Sequence, residues 1–329
     1  MPRAFTFHGG RLAEARAHFG GGAEDWLDLS TGINPAPWPG GDGLAIDWHS
    51  LPDPQGLREL ECAAAINFGA DPALCCAVPG SEIGLRMLVR VLGLPGRHLP
   101  LSYSTHADAF ADYPAAVQAG TTGTTFVIAN PNNPDGALTP PDHLRAMLAW
   151  QEADGGWLIV DEAFADCRAD WTIVDALHED RRLIVLRSFG KFFGLAGVRL
   201  GFVLAPLAVA EPLRRLLGEW PVCAAALAYG TAAYRDRAWI AATRAALPAQ
   251  AAGLDAVLAR HGLVAQGECP LFRLVETDRA QRLFSRLARR QILTRPFAAH
   301  PGLLRFGLPA GLADLDRLDA ALGEPRDHG

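Results

Sequence analysis

Ser188-Phe-Gly-Lys191-Phe-Phe-Gly-Leu-Ala-Gly-Val-Arg199-Leu-Gly-Phe202 is the stretch on which the reading of this chain turns. It follows an apolar run, Leu183–Arg187, that reads as a buried strand. Lys191 therefore sits just past a strand end, in a loop crowded with glycine and aromatic residues. Burial disfavours an ammonium charge, so a lysine in such a place is either exposed or used. The neutral amine is the form that attacks an aldehyde to make a Schiff base. A surface lysine on a Gly-rich loop is the competing explanation. Ser188 lies three residues before it and Arg199 eight after. A hydroxyl and a guanidinium are the groups a phosphate monoester needs. Phe192, Phe193 and Leu195 read as packing residues.

Four further segments share this strand-then-loop placement. Asn130-Pro-Asn-Asn-Pro-Asp-Gly136 follows a strand and is, at the least, a turn built from turn-forming residues. Asp161 closes the strand Trp157-Leu-Ile-Val-Asp161. An acid at the C-terminal end of a buried parallel strand is placed for ligand binding, though it could equally cap a helix. Pro79-Gly-Ser-Glu-Ile-Gly84 sits between a strand and a helix, where free N–H groups favour phosphate. Tyr103, in Leu-Ser-Tyr-Ser, is either a ligand-facing ring or a core aromatic.

Working outward, short apolar runs alternate with amphipathic ones. The expected strands are Leu74–Val78, Thr124–Ala129, Trp157–Asp161, Leu183–Arg187 and Val198–Leu204. The expected helices cover about 55–68, 82–93, 106–117, 140–153 and 206–218. Buried strands separated by helices indicate an α/β layer with a mainly parallel sheet. Residues 1–50, rich in Gly, Pro and Trp, read as an extended arm. From Pro221 to about Leu258 an Ala/Leu/Arg-rich stretch reads as one or two helices. A strand near Phe272–Val275, a helix near 278–290, a strand near Leu303–Leu308 and a helix from about 311 complete an α+β end-piece. The expected division is an arm at 1–45 that joins the small domain, a large domain at 46–225 and a small C-terminal domain at 226–329.

Composition narrows the function classes. Of 329 residues half are apolar and a fifth charged, which suits a soluble protein with a sizeable core. The formal net charge is -6, without a Lys/Arg run or basic stripe, so no nucleic-acid partner is expected. No apolar run resembles a signal peptide or reaches the roughly 18 residues of a membrane span, so no membrane partner and a cytoplasmic location are expected. Cys62, Cys75, Cys76, Cys167, Cys223 and Cys269 form no C-x-x-C pair, so neither a disulfide framework nor a metal site is expected. Neither G-x-G-x-x-G nor G-x-x-x-x-G-K-[ST] occurs, which argues against a nucleotide-binding Rossmann protein.

The lysine segment resembles that of the fold-type I pyridoxal-phosphate (PLP) enzymes, the aminotransferase superfamily. The resemblance implies a large domain with a mainly parallel sheet and a smaller α+β domain, with PLP as cofactor. It makes Lys191 the Schiff-base lysine, with Ser188 and Arg199 on the phosphate. Gly80, Ser81 and Glu82 match the family's phosphate cup, and Tyr103 the ring that stacks on the cofactor. Asn133 matches the asparagine on the phenolic oxygen. Asp161 matches the acid that keeps the pyridinium nitrogen protonated. Phe164 stands where many relatives have a hydrogen-bonding tyrosine. Leu51, before Pro52-Asp53-Pro54, stands where relatives often place a tyrosine that crosses the dimer.

Two outer segments are more specific. His8-Gly-Gly and Leu27-Asp-Leu-Ser-Thr-Gly-Ile-Asn-Pro35 lie in the arm, and Arg295-Pro and Leu-Leu-Arg305-Phe-Gly lie near the end. Two arginines near one site suit a substrate with two anionic groups, although either could instead be exposed. Together with Phe164 these segments resemble the threonine-phosphate decarboxylases, relatives of the histidinol-phosphate aminotransferases, and the match runs from His8 to about Arg305. The resemblance implies decarboxylation of L-threonine O-3-phosphate to (R)-1-aminopropan-2-ol O-phosphate for cobalamin biosynthesis. His8, Gly32, Asn34, Arg295 and Arg305 would hold this small phosphorylated amino acid. It also implies a homodimer. A histidinol-phosphate-type aminotransferase remains the alternative, because both reactions use Lys191, Asp161 and Asn133.

Overall fold

The structure, a computed structural model, describes Phe5, residues 8–112 and residues 123–323. The chain divides into two compact units: Pro37–Asn133 with Leu138–Arg244, and Met1–Ala36 with Pro134–Ala137 and Ala245–Gly329.

The first unit is built on a six-stranded sheet. In chain order its strands are β1 (Cys75–Val78), β2 (Gly96–His98), β3 (Thr125–Ala129), β4 (Trp157–Asp161), β5 (Leu183–Ser188) and β6 (Gly201–Leu204), arranged β1-β6-β5-β4-β3-β2. Neighbours from β2 to β5 pair in parallel, and β6 runs against both β5 and β1. Five of the six strands therefore share one direction. Their β-branched runs suit burial on both faces, the condition a mainly parallel sheet imposes. On one face Val127, Ile159, Ile184, Leu186 and Val203 pack with Leu85, Leu88 and Val89 of helix Ser81–Leu92 and with Val209 and Leu213 of helix Leu207–Leu217. Helix Pro54–Phe68 begins where Asp53 caps it, its carboxylate accepting the Gln55 N–H at 2.6 Å, with Pro54 in the first turn. It ends at Gly69, whose φ of 75° suits glycine.

The second unit has a four-stranded antiparallel sheet in the order Arg295–Pro296, Leu303–Gly307, Phe272–Glu276, Ala265–Gln266. A short parallel pair joins Leu27–Asp28 to Ile292–Leu293. Its core combines Phe5, Trp26 and Leu29 of the N-terminal segment with Leu254, Leu258, Phe284, Leu287 and Phe306.

Most expected elements appear within a residue or two, and the differences have local causes. Gly96–His98 was not anticipated, because three residues with one apolar neighbour carry no period. Val198–Leu204 shortens to Gly201–Leu204: Ala196–Val198 is a 3-10 turn closed by Arg199 at φ 56°. The helix expected at 106–117 is Ser104–Ala109, and residues 113–117 lie outside the described ones. The supposed extended arm contains helix Leu12–Phe19, held by Phe19 against Trp26 and Phe284 rather than by a strong period of its own. The stretch from Pro221 resolves into two helices, Ala224–Arg235 and Arg237–Arg260. The first of these packs on Pro54–Phe68. The boundaries of the compact units accordingly fall at 36/37 and 244/245, where the sequence reading expects 45/46 and 225/226. No helix among the described residues is long and apolar enough to cross a membrane.

Candidate active site

Parallel strands put their C-terminal ends on one edge, and that edge is where ligands bind in open α/β sheets. Here β3, β4 and β5 end side by side, in register Ala129 with Asp161 and Asp161 with Leu186. They deliver the Asn130–Asn133 turn, Asp161 and the Ser188–Lys191 segment to that edge.

Asp161 is nine-tenths buried. Its Oδ1 accepts the Ala163 N–H at 3.1 Å, and its Oδ2 lies 3.2 Å from His106 Nε2. It caps no helix: the next helical turn, Ala165–Cys167, is preceded by Phe164. That leaves a fixed carboxylate at a strand end, the arrangement a ligand site requires. His106 is fully buried and lies edge-on to the Tyr103 ring, with centroids 5.9 Å apart. The sequence reading missed His106. Its only signal was a position three residues after Tyr103, on the short helix that Tyr103 precedes.

Tyr103 is half-buried, and its hydroxyl donates to Glu82 Oε2 at 3.3 Å. Burial pushes its pKa up to about 12. The Glu82 carboxylate also bonds Arg86 at 3.2 Å. An anion would be repelled by that carboxylate, so Glu82 can serve a phosphate only through its backbone N–H.

Gly80 and Ser81 open helix Ser81–Leu92, where first-turn N–H groups lack helical acceptors. Gly80 has φ 98° and ψ 141°, backbone that side chains scarcely adopt. A Cβ there would stand 2.8 Å from an Arg199 terminal nitrogen, and a Cβ on Gly201 would stand 2.4 Å from the Ser81 nitrogen. Gly80, Ser81 and Arg199 thus form a cradle whose close approach two missing side chains allow. Arg199 is exposed. Ser188, buried, ends β5.

Lys191 lies on the single turn Phe189–Phe192, half-buried. Its Nζ is 5.8 Å from the centroid of the Phe164 ring, which is itself buried. Gly190 lets this turn close on Ala196, whose Cα would be 2.6 Å from an added Cβ. The Asn130 side chain holds the neighbouring turn, donating to Trp171 O at 3.0 Å and accepting from Thr139 N at 2.9 Å. Asn132 donates to Leu101 O at 3.0 Å, and Asn133 is half-buried. Leu51 is exposed. An amine beside an apolar ring, a fixed carboxylate and a cradle of helix-start N–H groups and a guanidinium fit an aldehyde-bearing, phosphorylated pyridine such as PLP.

The remaining expected residues lie in the second unit, and the structure gathers them there. Arg295 and Arg305 are cross-strand partners, and both are buried, so neither is a surface arginine. Arg295 donates to Phe5 O at 3.2 Å and Arg305 to Ser30 O at 3.0 Å. The Gly10 N–H bonds Ser30 Oγ at 2.8 Å, and a Cβ on Gly9 would stand 2.3 Å from Ser30 O, so His8-Gly-Gly is seated on the same residue. Gly307 brings the arm in close: its N–H reaches Leu29 O at 2.6 Å. Gly32 and Asn34 are buried, and Asn34 Oδ1 accepts the Ala36 N–H at 3.0 Å. Both guanidinium groups are thus held out of solvent against backbone carbonyls of the N-terminal segment.

The mixed sheet and its strand-end lysine define the fold-type I class of PLP enzymes. The chain belongs to the class I and II aminotransferase family, whose model matches residues 100–321. It is similar to a threonine-phosphate decarboxylase of a Sinorhizobium species, at 41% identity over 96% of this chain and 97% of the relative. It is likewise similar to a threonine-phosphate decarboxylase of Pseudomonas aeruginosa, at 40% identity over 96% of each chain. Among solved structures, it shares its fold with the histidinol-phosphate aminotransferase of Sinorhizobium meliloti in complex with pyridoxal-5'-phosphate. That likeness has a TM-score of 0.76 and 20% identity, covering 94% of this chain and 92% of the other.

Proposed function

We propose that this protein is a PLP-dependent carboxy-lyase that decarboxylates L-threonine O-3-phosphate, releasing CO₂ and (R)-1-aminopropan-2-ol O-phosphate. The observation that carries this reading is a 41% identity that spans the chain from arm to C-terminal unit. The product is the one expected of a cobalamin-pathway enzyme, acting as a cytoplasmic homodimer.

PLP, when bound, supplies an electron sink for the pair left as the bond from Cα to the carboxylate breaks. Lys191 would provide the amine that holds the cofactor, and in its ammonium form it would supply the proton that Cα takes in place of the carboxylate. Asp161, fixed by His106 and the Ala163 N–H, holds a proton on the pyridine nitrogen. Asn133 orients the phenolic oxygen, and Tyr103 covers the ring. Gly80, Ser81, the Glu82 N–H, Ser188 and Arg199 bind the cofactor phosphate. Phe164 packs beside the Lys191 amine and offers no hydrogen bond. His8, Gly32, Asn34, Arg295 and Arg305 bind the substrate's carboxylate and phosphate.

The test is product analysis. Purified protein with PLP and threonine phosphate should release CO₂ in step with substrate loss. Oxo-acid formation that requires 2-oxoglutarate, without CO₂, would replace the decarboxylase by the aminotransferase.

A further inference from the structure

Behind the strand ends lies a buried ionic cluster that the chemistry above does not use. Asp161 and Leu186 are register partners, so strand alternation puts Asp161, Leu186 and Ser188 on one face of the sheet. Glu162 and Arg187 project from the other. Arg187 Nη1 lies 2.8 Å from Glu162 Oε2, and Nη2 bonds Asp166. Glu162 is fully buried and also accepts from Thr172 Oγ1 at 2.6 Å and from Ile173 N at 2.9 Å. The Asp166 carbonyl accepts Arg244 Nε at 2.7 Å, and the Arg187 guanidinium lies 4.4 Å from the centre of the Phe68 ring.

One guanidinium thus faces two carboxylates with almost no solvent. Burial pushes the Glu162 carboxyl upward, and Arg187 only partly offsets this. Asp166 and Glu162 hold Arg187 above its ordinary pKa against the effect of burial. Such a cluster is a poor source of stability, since apolar residues of like volume serve as well or better. Its geometry is more telling. The bridge joins the residue after Asp161 to the residue before Ser188, and its second arm reaches Asp166, two residues beyond Phe164. It therefore links the segment carrying Asp161 and Phe164 to the segment carrying Ser188 and Lys191.

We propose that Arg187 is a positioning residue: by bridging Glu162 and Asp166 it fixes the separation between Asp161, on the opposite face of the sheet, and Lys191, on the turn that follows Ser188. The proposal rests on the PLP reading of those two residues, but not on the identity of the substrate.

The test uses the full-length protein stripped of PLP and reconstituted, with no substrate present. Arg187→Lys keeps the charge but loses the planar fork that reaches two carboxylates. Misplacing reacting groups by about an ångström costs on the order of 100-fold in function, so PLP affinity should fall about 10- to 100-fold. The midpoint of the visible band's pH titration should also move, because that band reports the lysine and the ring nitrogen together. Glu162→Gln keeps one carbonyl acceptor, enough for the Ile173 N–H but not for Thr172 as well, removes the charge that faces Arg187, and carries the test if the first variant does not fold. It should shift both readouts in the same direction by a smaller amount. A lowered melting temperature with unchanged PLP affinity and unchanged pH midpoint would overturn the proposal and leave the cluster purely structural. Absence of CO₂ release from the unaltered protein would sink the proposed reaction and leave this result standing.

Discussion

Gly80→Ala separates the fold from the cofactor site, because the structure assigns each a different part of the damage. Gly80 sits at φ 98° and ψ 141°, a region that costs an L-residue about 1–3 kcal/mol. At an unfolding entropy of about 2 cal/mol/K per residue, that is a drop of roughly 1.5–4.5 °C in melting temperature for a chain of this length. The new Cβ would stand 2.8 Å from an Arg199 terminal nitrogen, so something must shift. Arg199 is exposed and flexible at its far end, so it yields, and the fold survives. Losing a well-made anion contact outright costs about 2–5 kcal/mol. A displaced rather than deleted guanidinium should forfeit part of that, about 10- to 100-fold in affinity for the phosphorylated cofactor. The assay is titration of the apoprotein with PLP and, in parallel, with pyridoxal, which has no phosphate. PLP binding should weaken while pyridoxal binding stays within about twofold, since a contact to an absent phosphate contributes nothing. Equal weakening of both ligands would refute the cradle of Gly80, Ser81 and Arg199. Unchanged binding of PLP with the expected loss in melting temperature would refute it too.

Three other outcomes follow from the same geometry. Borohydride should fix the cofactor to Lys191, and peptide mapping that finds the adduct on another lysine would reject the assignment; Lys191→Ala should still take up PLP without a covalent bond. Arg305→Ala should lower kcat/KM for threonine phosphate by roughly 30- to several-thousand-fold, the value of a buried bidentate anion contact, while leaving the cofactor spectrum unaltered. Burial raises the Tyr103 pKa from 10 to about 12, so its folded-state preference for the neutral phenol is fully present below pH 10 and is lost as pH rises towards about 12. Denaturant midpoints of the apoprotein should therefore fall more steeply over that interval than those of Tyr103→Phe, and parallel curves would contradict the burial assigned to this hydroxyl.

The fold was legible wherever a segment's own pattern decided its structure. Trp157–Asp161 is an apolar run bounded by Gly156 and the Asp161-Glu162 pair, and it is a strand with those bounds. Pro54–Phe68 announces its start with Asp53-Pro54 and its end with Gly69. Legibility failed where tertiary contacts outweighed local pattern. Leu12–Phe19 has a helical sequence of little amphipathic contrast, and it is the aromatic contacts of Phe19 that hold it in place. Gly96–His98 is a strand because β3 beside it offers a ladder, not because three residues could specify one.

The candidate site divides along the same line. Lys191 and Asp161 could be picked out because each closes or follows a strand, and parallel strands must bring such positions to a common edge, whereas Asn133, Gly80 and Ser81 were nominated by their resemblance to the family's motifs. What that argument could not supply was the partner of each residue. Nothing in the order of the chain joins His106 to Asp161, 55 residues away, or Arg187 to Glu162, 25 residues away. Nor could it show that Glu82 presents a carboxylate already engaged by Arg86 and Tyr103, which limits it to a backbone contribution. The two arginines near the end are the instructive case. Ten residues apart in sequence, they could have been on any surface; a turn between two short strands makes them register partners, and both are buried against N-terminal carbonyls, Arg295 on Phe5 O and Arg305 on Ser30 O. Chemistry-bearing residues can be nominated from strand ends, but their roles are set by pairings across the sheet, and pairing is a property of register rather than of composition.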